Sequence, residues 1–209
     1  MMQRRAFLRM LSAGAAAAAL SSSLARAAPA PAVATISAFY DTLIEVMKQA
    51  KTLGFKGRYE KLEPAMRRAY NLPLMTRLSI GPDWQKLSPE QQSALTAAFS
   101  DFSISTYASR FNGYSGERFE VNPEPASTAG GVIVSTKLIE SDGNVVELNY
   151  LLREGDGGWQ IIDVFLKGTV SELALRRADF SAVLEREGFD TLITSVERKV
   201  AELAAGNVK

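Results

Sequence analysis

Asp163 is the one carboxylate in the apolar run Trp159-Gln160-Ile161-Ile162-Asp163-Val164-Phe165-Leu166, and its surroundings make it the first residue to ask about proton chemistry. A carboxyl group among apolar neighbours resists ionisation, and a raised pKa in a dry cavity is how some small cone-shaped α+β isomerases arm a general base. The competing role is structural, because buried polar groups are as a rule satisfied by hydrogen bonds. In that role Asp163 orients a helix beginning near Ser171, with Arg177 as a candidate partner. The rest of the chain narrows the chemistry. It contains no His and no Cys, which removes Ser-His-Asp hydrolysis, Cys-His chemistry, haem ligation and the usual zinc sites. Carboxylate, Lys, Tyr or Ser chemistry remains, yet no nucleophile arrangement, glycine-rich phosphate loop or dinucleotide fingerprint is present. Neither metal nor cofactor is expected.

The elements that would position Asp163 follow from periodicity. The run 159–166 has strand length and composition, with Trp159, Ile161 and Phe165 on one alternating face and Ile162, Val164 and Leu166 on the other. Both faces are apolar, which predicts a central strand covered on two sides. After Gly168 the period changes: Leu173, Arg177, Phe180 and Leu184 share one helical face, and Gly188 stands where a C-cap belongs. Upstream, Val132–Ile139 and Val145–Leu152 alternate around Asp142-Gly143, and Gly155-Asp156-Gly157-Gly158 closes the next turn, giving three adjacent antiparallel strands preceded by a weaker Phe119–Val121. The first half reads as helices. Ile36, Phe39, Tyr40, Leu43, Ile44 and Met47 fall at helical spacing; Gly54 and Gly57 interrupt; a short helix over Tyr59–Tyr70 contains Pro64, where a break is expected. Asn71-Leu72-Pro73 turns into another short helix, and Ser88-Pro89-Glu90-Gln91 is a capping box opening a long helix with the aromatic stripe Leu95, Phe99, Phe102, Tyr107 and Phe111. A last helix covers about Asp190–Leu203. No internal repeat is visible.

Residues 1–27 read as a targeting segment: Gln3-Arg4-Arg5-Ala6-Phe7-Leu8-Arg9, an apolar run from Met10 to Leu20, and Ala25-Arg26-Ala27 as cleavage site. The run is shorter than the ~20 residues of a stable span. The paired arginines followed by Phe-Leu resemble a twin-arginine export signal, with Arg9 where Lys is usual; a general secretory n-region is the alternative. Either route takes the mature chain, 28–209, out of the cytoplasm as one domain. Of 24 basic residues, four (Arg4, Arg5, Arg9 and Arg26) belong to the signal, which leaves 20 against 23 acidic ones, a net charge of −3. Nucleic acid is not an expected partner.

Several stretches together carry a family resemblance: Gly81-Pro82-Asp83-Trp84 leading into Leu87-Ser88-Pro89-Glu90-Gln91; Tyr107; Tyr150 with Arg153; Gly158–Val164; and Arg177-Ala178-Asp179-Phe180 through Leu184 to Gly188-Phe189. In order and spacing, over roughly Ile36–Leu203, the chain resembles the MlaC family of periplasmic lipid-binding proteins, also called toluene-tolerance auxiliary components. Gly168-Thr169-Val170-Ser171-Glu172-Leu173 stands where that family typically has Gly-Val-Ser-Leu, Leu175-Arg176 stands before Arg177 in place of Asn-Tyr, and Asn71 replaces a usual Asp. These departures resemble the hopanoid-biosynthesis-associated branch.

The resemblance implies an α+β fold, a curved antiparallel sheet wrapped by helices with an apolar lipid pocket between them, and a non-catalytic carrier moving a hopanoid or phospholipid between inner and outer membranes. It implies lipid transport complexes in both membranes as partners. Pocket candidates are the apolar faces that would oppose one another: Val132, Val134, Leu148, Tyr150, Leu152 and Ile161 on strands, and Phe39, Leu43, Met47, Phe99, Phe102 and Tyr107 on helices. A small cofactorless enzyme acting on an apolar substrate through Asp163 is the alternative, and an interaction module with a fully packed interior is a third. The export reading is tested by Arg4→Lys with Arg5→Lys, which preserves charge. Precursor should accumulate in the cytoplasm on fractionation if the signal is twin-arginine, and undiminished export would refute that reading.

Overall fold

A computed structural model describes residues 30–206; the expected export segment 1–27 lies outside the described residues. The helical half comes first: α1 (Pro31–Lys48), α2 (Ala50–Ala69), α3 (Leu72–Ile80), a 3₁₀ turn (Gly81–Lys86) and α4 (Pro89–Arg110). Helix α1 starts with Pro at its first position, where a missing N–H costs nothing, and buries Ile36, Phe39, Tyr40, Leu43, Val46 and Met47 along one stripe. Within α2 the interruption falls at Gly54 (φ 62°, ψ −174°), a backbone state that glycine tolerates. The expected break at Pro64 does not occur. Pro64 and Glu60, whose carbonyl loses its usual donor, are both exposed, so water can satisfy the freed group. Asn71 caps α3 by accepting the Leu74 N–H (3.1 Å), and Ser88 with Gln91 forms the expected capping box of α4.

The sheet follows: β1 (Arg118–Val121), β2 (Ala126–Thr128), β3 (Gly131–Ile139), β4 (Val145–Gly155), β5 (Gly158–Leu166) and the two-residue β6 (Val170–Ser171), then α5 (Glu172–Glu187) and α6 (Phe189–Ala204). Pairing is antiparallel throughout, in the order β1-β3-β4-β5-β6, with β2 also on β3. The strand 159–166 is not central, as the two apolar faces suggested. Beyond Phe165 and Leu166, which pair with β6, its outer edge is covered instead by the α2–α3 junction: the Asn71 N–H donates to the Ile161 carbonyl (2.9 Å).

Its alternation also differs from the expected one. Tyr150 pairs with Val164 and Leu151 with Asp163, but Leu152 pairs with Ile161, so Ile162 is an extra residue in a β-bulge. Ile161 therefore joins Val164 and Leu166 on the face of Leu148, Tyr150 and Leu152, and Asp163 lies on the opposite face with Phe165. Buried residues occur at 161, 162, 163 and 164 in succession because the bulge shifts the phase, not because the strand lies mid-sheet.

Helices α1, α2 and α4 cover the inward face. A set of hydroxyls runs through this core: Tyr40 Oη lies 2.6 Å from Thr136 Oγ1 and 3.0 Å from Tyr150 Oη, and Tyr70 Oη 2.5 Å from Tyr107 Oη. Burial pushes the Tyr70 and Tyr150 hydroxyls well above the usual tyrosine range, so both remain neutral hydrogen-bonding groups.

At the start of β3, Gly131 has φ 142°, and a Cβ there would collide with the Leu152 carbonyl oxygen. Gly131→Ala should therefore cost about 2 kcal/mol or more in urea denaturation. Gly155→Ala, which adds its methyl to open space, serves as control; equal midpoints for the two variants would refute this register.

Candidate functional site

A hollow of about 110 Å³ lies between α4, α5 and the inward face of β4 and β5. Tyr70, Tyr107 and Met66 form its inner end, Phe99, Phe102 and Phe111 one wall, and Leu148, Val164 and Leu166 the sheet side. Helix α5 contributes Leu173, and at the rim Glu172 and Arg176 face Arg110 of α4. The rings hold one another in place. Tyr107 stacks on Phe111 at 5.5 Å between centroids and meets Phe39 edge-on at 5.4 Å, while Phe99 meets Phe180 of α5 edge-on at 6.2 Å.

The rim is charged. The Arg176 guanidinium lies 4.3 Å from the Phe102 ring centroid and 3.5 Å from Glu172 Oε2. Burial lowers its pKa, Glu172 opposes that shift and neighbouring Arg110 adds to it. An apolar interior with a charged mouth suits an amphiphile, whose two ends need different surroundings.

Of the residues expected around a pocket, Phe99, Phe102, Tyr107 and Leu148 line this hollow. Phe39, Leu43, Met47, Val134, Tyr150, Leu152 and Ile161 do not; they are buried against one another in the filled part of the core, and Val132 packs at its margin. Opposed apolar faces close up wherever side chains interdigitate at normal packing density, and the α1 side of the sheet does so.

This architecture has a solved counterpart: the phospholipid-binding protein from Ralstonia solanacearum, determined in complex with a phospholipid, has the same fold at a TM-score of 0.73 and 21% identity, the match covering 84% of this chain and 99% of that one. The MlaC protein family matches residues 37–198. The chain belongs to the MlaC family.

In this MlaC protein Asp163 is not among the lining residues, and both its oxygens are engaged. Oδ1 accepts the backbone N–H groups of Val164 (2.7 Å) and Leu173 (3.0 Å), and Oδ2 accepts the Ser171 hydroxyl (2.6 Å). Ser171 caps α5 by accepting the Ala174 N–H, so the carboxylate braces a helix N-terminus, where negative charge is favoured. Arg177 is not its partner. That side chain is exposed and packs on Gly81, one of its guanidinium nitrogens lying 2.7 Å from where a Cβ would be.

The lining residues not anticipated include Met66, Tyr70, Met75, Ser103, Thr106, Arg110, Phe111, Val164, Leu166, Leu173 and Arg176. Part of that set had a signal. Phe99, Ser103, Thr106 and Arg110 recur at intervals of four, three and four, one stripe of α4 that ends in a cation. Asp163→Asn preserves an acceptor for the N–H groups and a donor for Ser171, and should cost about 1–2 kcal/mol; Asp163→Leu strands them and should cost about 3 kcal/mol or more. Chemical denaturation distinguishes these outcomes from a dispensable Asp163, for which both variants would match wild type.

Proposed function

We propose that this MlaC protein is a periplasmic lipid carrier that holds a phospholipid or hopanoid in the hollow between α4, α5 and the sheet and moves it between inner and outer membranes without catalysis. The observation that carries this reading is a largely apolar hollow with charged residues, Arg110, Glu172 and Arg176, at its rim. Membership of the family and a fold shared with a protein solved bound to a phospholipid support it. Export through the signal at 1–27 would deliver the chain to the compartment between the two membranes, and lipid transport complexes in each are the partners the role requires. Among the described residues no helix is long and apolar enough to cross a membrane.

The physical need for a carrier is large. Burial is worth about 0.8 kcal/mol per methylene, so exposing a chain of about 16 carbons to water costs on the order of 12 kcal/mol. Protein walls in place of the bilayer interior remove most of that barrier. At about 110 Å³ the hollow is below the ~300–1,000 Å³ usual for ligand sites, so a lipid enters only as its walls part. The yielding wall is α5, whose sixteen residues include one fully buried side chain, Phe180. An enzyme acting through Asp163 finds no support in this geometry, because its carboxylate is spent on the α5 cap.

Mass spectrometry of organic extracts from the purified mature protein should show roughly stoichiometric lipid. Leu148→Trp, which fills the hollow from the sheet side, should reduce that lipid several-fold while circular dichroism shows a folded chain. Lipid-free protein from a hopanoid-producing host, with no uptake from liposomes, would overturn the carrier reading.

A further inference from the structure

Four residues lining the hollow carry a hydroxyl, and two of these hydroxyls are spent on the backbone. Ser103 donates to the Phe99 carbonyl and Thr106 to the Phe102 carbonyl, each at 2.8 Å. The other two, Tyr70 and Tyr107, meet each other at the inner end with 2.5 Å between their oxygens. Burial raises the pKa of both, so each keeps its hydrogen at neutral pH. One of those hydrogens lies between the two oxygens. The second cannot, and among the described residues the pair makes no hydrogen bond to any other group. Tyr150 is near enough to bear on the ionisation of both, but it is engaged with Tyr40 at 3.0 Å. Tyr40, Tyr150 and Thr136 have three hydroxyl hydrogens for three contacts, of Tyr40 with Thr136 and with Tyr150 and of Thr136 with the Leu148 carbonyl.

Rotation does not relieve the mismatch, because the rings are held. Phe39 meets Tyr70 edge-on at 5.3 Å and Tyr107 edge-on at 5.4 Å, and Tyr107 stacks on Phe111. A hydroxyl hydrogen without an acceptor in a largely apolar site is unfavourable, and an acceptor brought by a guest removes that cost. The tyrosine oxygens also keep unused lone pairs, so the closest match is a group that accepts and donates at once. An alcohol does both.

We propose that the paired hydroxyls of Tyr70 and Tyr107 form a subsite for an alcohol group on the tail of the cargo, so that the preferred guest is a lipid whose buried end carries a hydroxyl and not a plain hydrocarbon chain. This rests on the carrier reading and adds to it a selection made at the end of the hollow opposite the charged rim. A saturated tail leaves the spare hydrogen unmet, whereas a tail hydroxyl accepts it and returns its own hydrogen to a tyrosine oxygen. Discrimination of this kind is sharp, since a site that hydrogen-bonds a hydroxyl is left with an unpaired group when the analogue lacks it.

The test uses mature protein stripped of lipid and offered, from vesicles, equal amounts of a fatty acid and its ω-hydroxy counterpart. Separate trials with octanoic, dodecanoic and hexadecanoic chains let the hydroxyl sample several depths. Bound guest is extracted and quantified by mass spectrometry, and the ratio of hydroxylated to plain chain is compared between wild type and the double variant Tyr70→Phe, Tyr107→Phe. At one chain length or more that ratio should fall roughly tenfold in the double variant, with each single variant in between. Should circular dichroism show the double variant unfolded, the single variants decide. An unchanged ratio at every length overturns the subsite, as it would if a water molecule satisfied the spare hydrogen, and leaves the carrier reading standing. Uptake of no chain by wild type also overturns the subsite, whereas the carrier reading falls only with lipid-free purified protein that takes up nothing from liposomes. The α-hydroxy acids, whose hydroxyl stays beside the carboxylate, serve as positional control. Their ratio to the plain chain should not move in the double variant, and a fall equal to that of the ω-hydroxy acids would overturn recognition at the tail.

Discussion

The architecture depends on one irregularity, the β-bulge at Ile162. Side chains on a strand alternate strictly, so without an extra residue Ile161 and Asp163 would share a face and Val164 would take the other. Either a carboxylate would enter the core or apolar side chains would leave it. The bulge puts Ile161, Val164 and Leu166 inward together and leaves Asp163 on the far face, close to where the chain returns through β6. There its two oxygens gather the Ser171 hydroxyl and the Leu173 N–H, and this fixes where α5 begins. Leu173 and Arg176, which complete the hollow and its mouth, are in place as a consequence.

The interior divides into a filled part and an unfilled part for reasons of shape. Against α1, branched and aromatic side chains from helix and sheet interlock: Phe39 meets Tyr70 edge-on at 5.3 Å, and Tyr40 stacks on Phe119 at 4.0 Å. Toward α4 the boundary is made of rings already committed to one another, with the Tyr70 and Tyr107 hydroxyls paired. Such a frame has few rotamers with which to collapse into a void, whereas an aliphatic wall would relax into it. Helix α5 opposes this frame with a shallow footing. One wall is rigidly interlocked and the other is shallowly seated, and local opening is least costly where few apolar contacts are broken.

Charge is distributed in keeping with this division. The buried tyrosines remain neutral because burial raises their pKa, so the inner end of the hollow carries polarity without charge. Formal charge appears only at the rim, where Arg110, Glu172 and Arg176 reach solvent. The hollow is thereby polarised, neutral toward Tyr70 and Tyr107 and charged toward Arg110.

Much of this was legible in the amino-acid sequence, because local signals are written locally. The helix starts at Asn71 and Ser88, the turns at Asp142-Gly143 and Asp156-Gly157 and the antiparallel order of β3, β4 and β5 follow from residue type and spacing within short windows, and the α+β class is what the family resemblance implied. The aromatic stripe of α4 also identified Phe99, Phe102 and Tyr107 as facing something apolar. Periodicity states which side chains point inward, but not whether the opposing layer meets them. That is why Phe39, Val134 and Tyr150 could not be told from Leu148 until both layers were in place. A bulge, too, has no residue signature in Ile161-Ile162-Asp163, since its position depends on the register of the partner strand. The role of Asp163, the placement of Arg177 on Gly81 and the meeting of Arg110 with Arg176 at the rim each join segments far apart in the chain. Only the tertiary structure decided them, because proximity between distant segments is set by how whole layers pack and not by any local preference of the residues concerned.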